Sequence, residues 1–117
     1  MSILPNFMQD KLESEAEELI LYIENDYDLY RQRFVPIIKN IQRKLKRGNY
    51  DHTKAPKLWG YIVEAGAKKY HKEMPLVIDN RKYKWYEQFP VEMRKCASQL
   101  FANKYFEEIF CNGYKII

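Results

Sequence analysis

Apolar positions recur along this chain at three- and four-residue intervals, with charged residues filling the gaps between them. Between Asp10 and Asn25, Leu12, Ala16, Leu19, Ile20 and Ile23 keep that spacing and leave the glutamates on the other side, which predicts an amphipathic helix. Asp10 stands where an N-cap would, and Glu13 three residues on completes a capping-box-like pair. Acids in the first turns also suit the positive end of the helix dipole. Asn25 and Asp26 interrupt the pattern. A second segment, Tyr27 to Arg47, carries Phe34, Ile37, Ile38, Ile41 and Leu45 as one stripe. Pro36 lacks an N–H and crowds the turn before it, and it biases Val35 away from helical angles. A short helix before Pro36 and a better one after it are therefore expected. Gly48-Asn49 closes the segment as a glycine C-cap, with basic residues in the last turn.

The third helix is expected to begin at Thr53 as N-cap, because Pro56 then falls at the third helical position, where no intrahelical N–H is needed. With Asp51 as the cap, Pro56 would already remove a ladder bond. Trp59, Ile62, Gly66 and Tyr70 share a face, with Leu58 and Val63 beside them. Gly60 and Gly66 inside a helix each cost about 1 kcal/mol against alanine, which points to a neighbouring helix approaching closely. Met74-Pro75 ends the element. Residues 76–88 are read as an ordered loop. The alternative is a small hairpin, with Leu76-Val77-Ile78, a two-residue Asp79-Asn80 turn and alternating Tyr83 and Trp85. The last helix starts at Pro90 and runs to about Cys111 on an apolar face that includes Met93, Ala97, Leu100, Phe101, Tyr105 and Ile109. Asn112-Gly113 terminates it, and the apolar tail Tyr114–Ile117 is suited to docking. The sum is an all-α, single compact domain of four to five helices. Its acidic first helix is expected to pack across the stripes of the second, third and last.

Composition narrows this further. The chain has 117 residues, 46% hydrophobic and 31% charged, which is room for one domain with a self-sufficient core. Repeats, low-complexity tracts and linkers are lacking. No apolar run approaches a membrane span. Met1–Asn6 has no charged stretch followed by an apolar one, so no signal peptide is expected. The net charge of +4 hides a sharp division. Residues 1–28 hold one base against eight acids, net −7; residues 29–85 hold fifteen bases against four acids, net +11; residues 86–117 balance four against four. Charge of that size steers anionic partners or neighbouring acidic surfaces. Either the acidic first helix covers part of the basic middle, which favours a general protein interface, or it does not, and anionic partners become credible.

Catalytic signals are thin. The sequence has no phosphate loop, no nucleophile elbow and no paired-histidine zinc motif. Cys96 and Cys111 would lie about 22 Å apart on one helix, too far for a disulfide, and neither has metal-ligand spacing with a partner. They read as a core residue and a helix-end residue in a reducing cytoplasm, the host's if the protein is viral. His52 could be oriented as a base by Asp51, but no nucleophile lies near it in sequence. His71 reads as part of a basic surface. No enzyme activity, cofactor, metal or membrane partner is expected. The stronger signal is basic residues interleaved with aromatics, in three clusters: Arg43, Lys44, Lys46 and Arg47 before Tyr50; Lys68, Lys69 and Lys72 around Tyr70; and Arg81, Lys82 and Lys84 among Tyr83, Trp85 and Tyr86. Cations neutralise phosphates and exposed rings stack on bases, while tyrosines also mark protein interfaces.

Leu29–Gln32, Pro36–Asn40, Gly48–Asp51, Lys54-Ala55, Lys57–Trp59 and Glu64–Tyr70 resemble a group of small tailed-bacteriophage proteins, over residues 26–70. Pro56 departs from that pattern. The resemblance implies a viral accessory role and carries no activity or site residues with it. It draws attention to Tyr30, Arg31, Gln32, Lys39 and Asn40 around the proline break, as a buried structural network or a polar recognition site. The expectation is a non-enzymatic accessory or assembly protein that binds another protein or itself. The alternative is a nucleic-acid-binding module using the three clusters.

Overall fold

A computed structural model describes residues 6–110, with side-chain surroundings for residues 9–109. Cys111, Asn112-Gly113 and the tail Tyr114–Ile117 lie outside the described residues. Helix α1 spans Asn6–Glu24 and α2 is the single turn Tyr27–Leu29. A π-helical turn, Tyr30–Phe34, leads into α3, Val35–Lys46. A 3₁₀ turn, His52–Lys54, then opens α4, Ala55–Glu73. Strands β1 (Val77–Ile78) and β2 (Arg81–Lys82), the short α5 (Trp85–Gln88) and α6 (Val91–Phe110) complete the order. The expected all-α class holds.

Helix α1 buries Ala16, Leu19, Ile20 and Ile23, the spacing read from sequence. It begins at least one turn before Asp10, which is therefore an interior residue and not the cap. Asn6–Gln9 contains neither glycine nor proline, so nothing stops the ladder there. Asp26 caps the next turn: its Oδ1 accepts the Leu29 N–H at 2.9 Å.

Pro36 does not split the second segment. Val35 is helical (φ −58°, ψ −46°) and its N–H donates to the Tyr30 carbonyl, five residues back. The π turn inserts one residue per turn just ahead of the proline, relieving the crowding its ring would impose. Tyr30 stacks on Phe34 across that turn, with centroids 5.2 Å apart. The chain is therefore helical without a break from Tyr27 to Lys46. Gly48 ends it at φ +73°, and Asn49 N–H reaches the Lys44 carbonyl at 2.8 Å, the bond a left-handed glycine cap permits.

The start of α4 corrects the sequence reading too. Asp51, not Thr53, is the capping side chain, and it accepts from the Thr53 N–H at 3.0 Å and the Thr53 hydroxyl at 2.6 Å. The intervening 3₁₀ turn, closed by Lys54 N–H on the Asp51 carbonyl, places Pro56 second in α4, where its missing N–H costs nothing. Residues 76–88 form the hairpin alternative, followed by the unanticipated α5. Val77 pairs with Lys82 and Ile78 with Arg81. Asp79 and Asn80 both adopt positive φ (51° and 65°), which suits a two-residue primed turn. Lys84 N–H donates to Glu87 Oε1 at 3.1 Å and starts α5.

Helices α4 and α6 run antiparallel, with His52 near Asn103 at one end and Tyr70 against Phe89 at the other. Trp59, 1% exposed, lies between them. It stacks on Phe101 at 5.2 Å and Tyr105 at 5.3 Å and meets Phe34 of the π turn at 5.5 Å. Helix α1 lies against α4 and α6, while α3 takes α6 as its main helix partner and buries Ile37, Ile38 and Ile41. The first helix therefore does not pack across all three stripes. Its seat is Gly66: a Cβ there would stand 2.3 Å from Ile23 Cγ1 and 2.6 Å from Cδ1.

The two α4 glycines predict opposite responses. Gly66→Ala forces a methyl into the buried, rotamer-restricted Ile23, and thermal unfolding should show a loss of about 1–3 kcal/mol, partly recovered by adding Ile23→Ala. Gly60→Ala meets only Ser98 Oγ at 3.7 Å, so it should gain up to about 1 kcal/mol of helix propensity. Equal responses at the two positions would contradict the close approach at Gly66.

Candidate interaction surface

Asp51 and both histidines are taken up by structural bonds. Asp51 is committed to Thr53 and does not orient His52, and the Thr53 bonds hold its carboxyl below the usual range. His52 instead meets the Tyr50 hydroxyl through Nδ1 at 2.8 Å and Asn103 Oδ1 through Nε2 at 3.4 Å, with its ring beside Phe106. Burial, with Asp51 adding to it, pushes the Tyr50 phenol up. His71 is not part of a free basic surface: its Nδ1 lies 2.6 Å from Gln88 Oε1. The Gln88 amide also accepts from Leu76 N–H and donates to the Met74 carbonyl, tying the hairpin base to α5. Cys96 is half-buried, and burial together with Glu13 and Glu17 raises its thiol pKa, the opposite of an activated nucleophile. Among the described residues no group of three potential metal ligands forms, and no helix is long and apolar enough to cross a membrane.

Two of the three basic clusters merge. The Lys68 ammonium lies 4.9 Å from the centroid of the Trp85 ring, joining the 68–72 and 81–86 segments. Much of this surface is internally engaged. Lys68 pairs with Glu64 at 3.0 Å, Lys69 with Asp26 at 2.7 Å, and Arg81 with Glu87 at 2.6 Å. Arg81 covers Tyr83, Lys84 covers Tyr86, and Arg94 shares Trp85 with Lys68. Rings met by the protein's own cations are poor platforms for stacking bases. Lys72 and Lys82 remain exposed.

The third cluster stands apart. The end of α3 adjoins the start of α4 through a hollow of about 340 Å³ lined by Leu45, Gly48, Tyr50, His52 and Phe106. From there α4 rises about 20 Å before reaching Lys68. The three clusters do not share one patch.

Because the π turn keeps the segment helical, Arg31 and Lys39 join Arg43 and Lys46 on one face of it. With Val35, Pro36 and Gln42 they line a groove of about 590 Å³. Arg31, Lys39, Arg43 and Lys46 are exposed, and no acid lies anywhere in residues 31–47, which hold seven cations. Lys44 is half-buried and Arg47 exposed. The five residues at the proline do not make a buried network. Arg31, Gln32 and Lys39 face solvent, Tyr30 and Asn40 are half-buried, and no hydrogen bond joins them among the described residues. Arg31 lies over the Tyr27 ring at 5.6 Å. Sequence reasoning misses Val35 and Gln42 as site residues because it treats the proline as a break. The signal that could have found them is the four-residue interval Arg31, Val35, Lys39, Arg43.

The acidic N-terminal region covers little of this. Asp26 and Asp28 reach Lys69 at 2.7 and 3.7 Å. Glu24 holds Lys104 at 2.6 Å and accepts from the Tyr105 hydroxyl. Tyr22 donates to Glu73 at 2.8 Å, and burial and that carboxylate push its phenol above the usual range. Asp10, Glu17 and Glu18 point to solvent. No family model, curated protein or solved structure matches this chain.

The Asp26–Lys69 pair gives a pH test. The Lys69 bond holds the Asp26 carboxyl below its usual range, so its contribution is complete above the ordinary aspartate pKa of about 4 and is lost as pH falls through the lowered value. Asp26→Asn keeps the cap but removes the charge. The melting temperature of the native chain should exceed that of Asp26→Asn near neutral pH, and the gap should close in strong acid. A gap independent of pH would contradict the ion pair.

Proposed function

We propose that this is a non-enzymatic accessory or assembly protein whose α3 groove binds an acidic, partly apolar protein segment. One observation carries the reading: Arg31, Lys39, Arg43 and Lys46 surround Val35 and Pro36 on an exposed helical face, and residues 31–47 contain no acid. Cations around an apolar floor suit the charged and apolar sides of an amphipathic helix. The resemblance of residues 26–70 to small tailed-bacteriophage proteins supports an accessory role.

A second reading is favoured by the same cations, namely contact with nucleic-acid phosphates through α3. Such contact is electrostatic and falls steeply with salt. The rings at 83–86 already carry the protein's own cations, Arg81, Lys84, Lys68 and Arg94, which weighs against base stacking at that cluster.

Fluorescence anisotropy separates the two, using a synthetic acidic amphipathic helix and a single-stranded oligonucleotide as probes. The peptide should bind, and the combined substitution Lys39→Ala, Arg43→Ala and Lys46→Ala should weaken it about tenfold or more. Lys72→Ala with Lys82→Ala should leave binding unchanged. Oligonucleotide binding that is tighter than peptide binding, and lost with salt, would favour the second reading. Binding of neither probe would overturn both.

A further inference from the structure

We infer that the acidic segment received by the α3 groove is the exposed face of α1 from a second copy of this chain. The inference rests on the protein-binding reading of that groove and supplies its occupant. On α1 the solvent-facing stripe is Asp10, Ser14, Glu17 and Leu21, at intervals of four, three and four residues. On α3 the groove stripe is Val35, Lys39, Gln42 and Lys46, at the same intervals. Both span twelve residues of regular helix, a rise of about 16 Å. This is the seam spacing of two helices packed side by side.

Laid antiparallel, the two stripes match at each position. Leu21 meets Val35, Glu17 meets Lys39, Ser14 meets Gln42, and Asp10 meets Lys46. Parallel packing would set Asp10 on Val35 and Leu21 on Lys46, so the match selects one direction. Leu21 is 60% exposed, an apolar side chain at the one place on this face where the groove offers an apolar floor. Within one copy the contact cannot form, because α1 is held on α4 and α6 by its opposite face, through Ile23 on Gly66 and Glu24 on Lys104. The seam is mostly charged, which predicts a salt-sensitive association whose specificity comes from complementary potentials.

Sedimentation velocity on the full chain over a range of concentrations reads the contact directly. The native protein should associate as concentration rises, and about 0.5 M salt should weaken this. Asp10→Lys with Glu17→Lys makes both faces basic; Lys39→Glu with Lys46→Glu makes both acidic. Each variant alone should lose at least tenfold in association constant, and mixing the two in equal amounts should restore it. Circular dichroism checks folding, and the milder Lys39→Gln with Lys46→Gln replaces a reversal that fails to fold. A native chain that stays monomeric yet binds the acidic peptide would overturn this inference and leave the acidic-partner reading standing. A monomer that binds no peptide would overturn both. Association indifferent to both reversals, or no recovery on mixing, would place the contact elsewhere and overturn the inference.

Discussion

Contact between Ile23 and the bare backbone at Gly66 fixes how the two charged halves of this chain meet. Helix α1 can approach α4 this closely only because position 66 has no Cβ, and Ile23, 1% exposed, fills the space. Once that contact is made, the rotation of α1 is set. Ala16, Leu19 and Ile20 turn inward, and Asp10, Glu17 and Glu18 turn out to solvent. Among the described residues, the acids of this region that pair with lysines of their own fold sit at the end of the helix and in the following turn, Glu24 with Lys104 and Asp26 and Asp28 with Lys69.

A second constraint works on the basic half. Trp59 gathers Phe34, Phe101 and Tyr105 around itself, so the π turn carrying Phe34 is anchored in the core while Arg31 and Lys39 project outward on the same helix. The additional residue in that turn lets a proline sit inside a continuous helix. Without it, Arg31 would belong to a separate element and the cationic groove would lose one end. The protein therefore keeps its opposite charges on separate exposed helices, which leaves each of them available to another molecule.

Much of the fold was legible. The stripes of α1, α3 and α6, the glycine cap at Gly48 and the close approach at Gly66 follow from spacing and from what glycine alone permits. The failures share a cause: each turned on a local rule applied without a helix type that relaxes it. Pro36 breaks an α-helical ladder but not one with a π turn ahead of it, and Pro56 conflicts with an Asp51 cap only if no 3₁₀ turn intervenes. The hairpin hung on two non-glycine residues accepting positive φ, for which Asp79-Asn80 was a fair but not decisive signal. At the candidate site, charge runs showed where cations are dense in sequence but not which ones the fold would occupy. Lys69 and Arg81 are paired with acids, while Arg31 and Lys39, outside the densest runs, line the groove.

The central claim is that the acidic helix leaves the basic α3 face uncovered in the single folded chain. Competitive acylation of lysine amines, read by mass spectrometry at high dilution, measures this residue by residue. Lys39 and Lys46, exposed and without an acid paired to them among the described residues, should react several-fold faster than Lys69, whose ammonium is held by Asp26 and kept protonated by it. Protection of Lys39 and Lys46 equal to that of Lys69 would mean that the two charged halves close on one another, and the claim would fail.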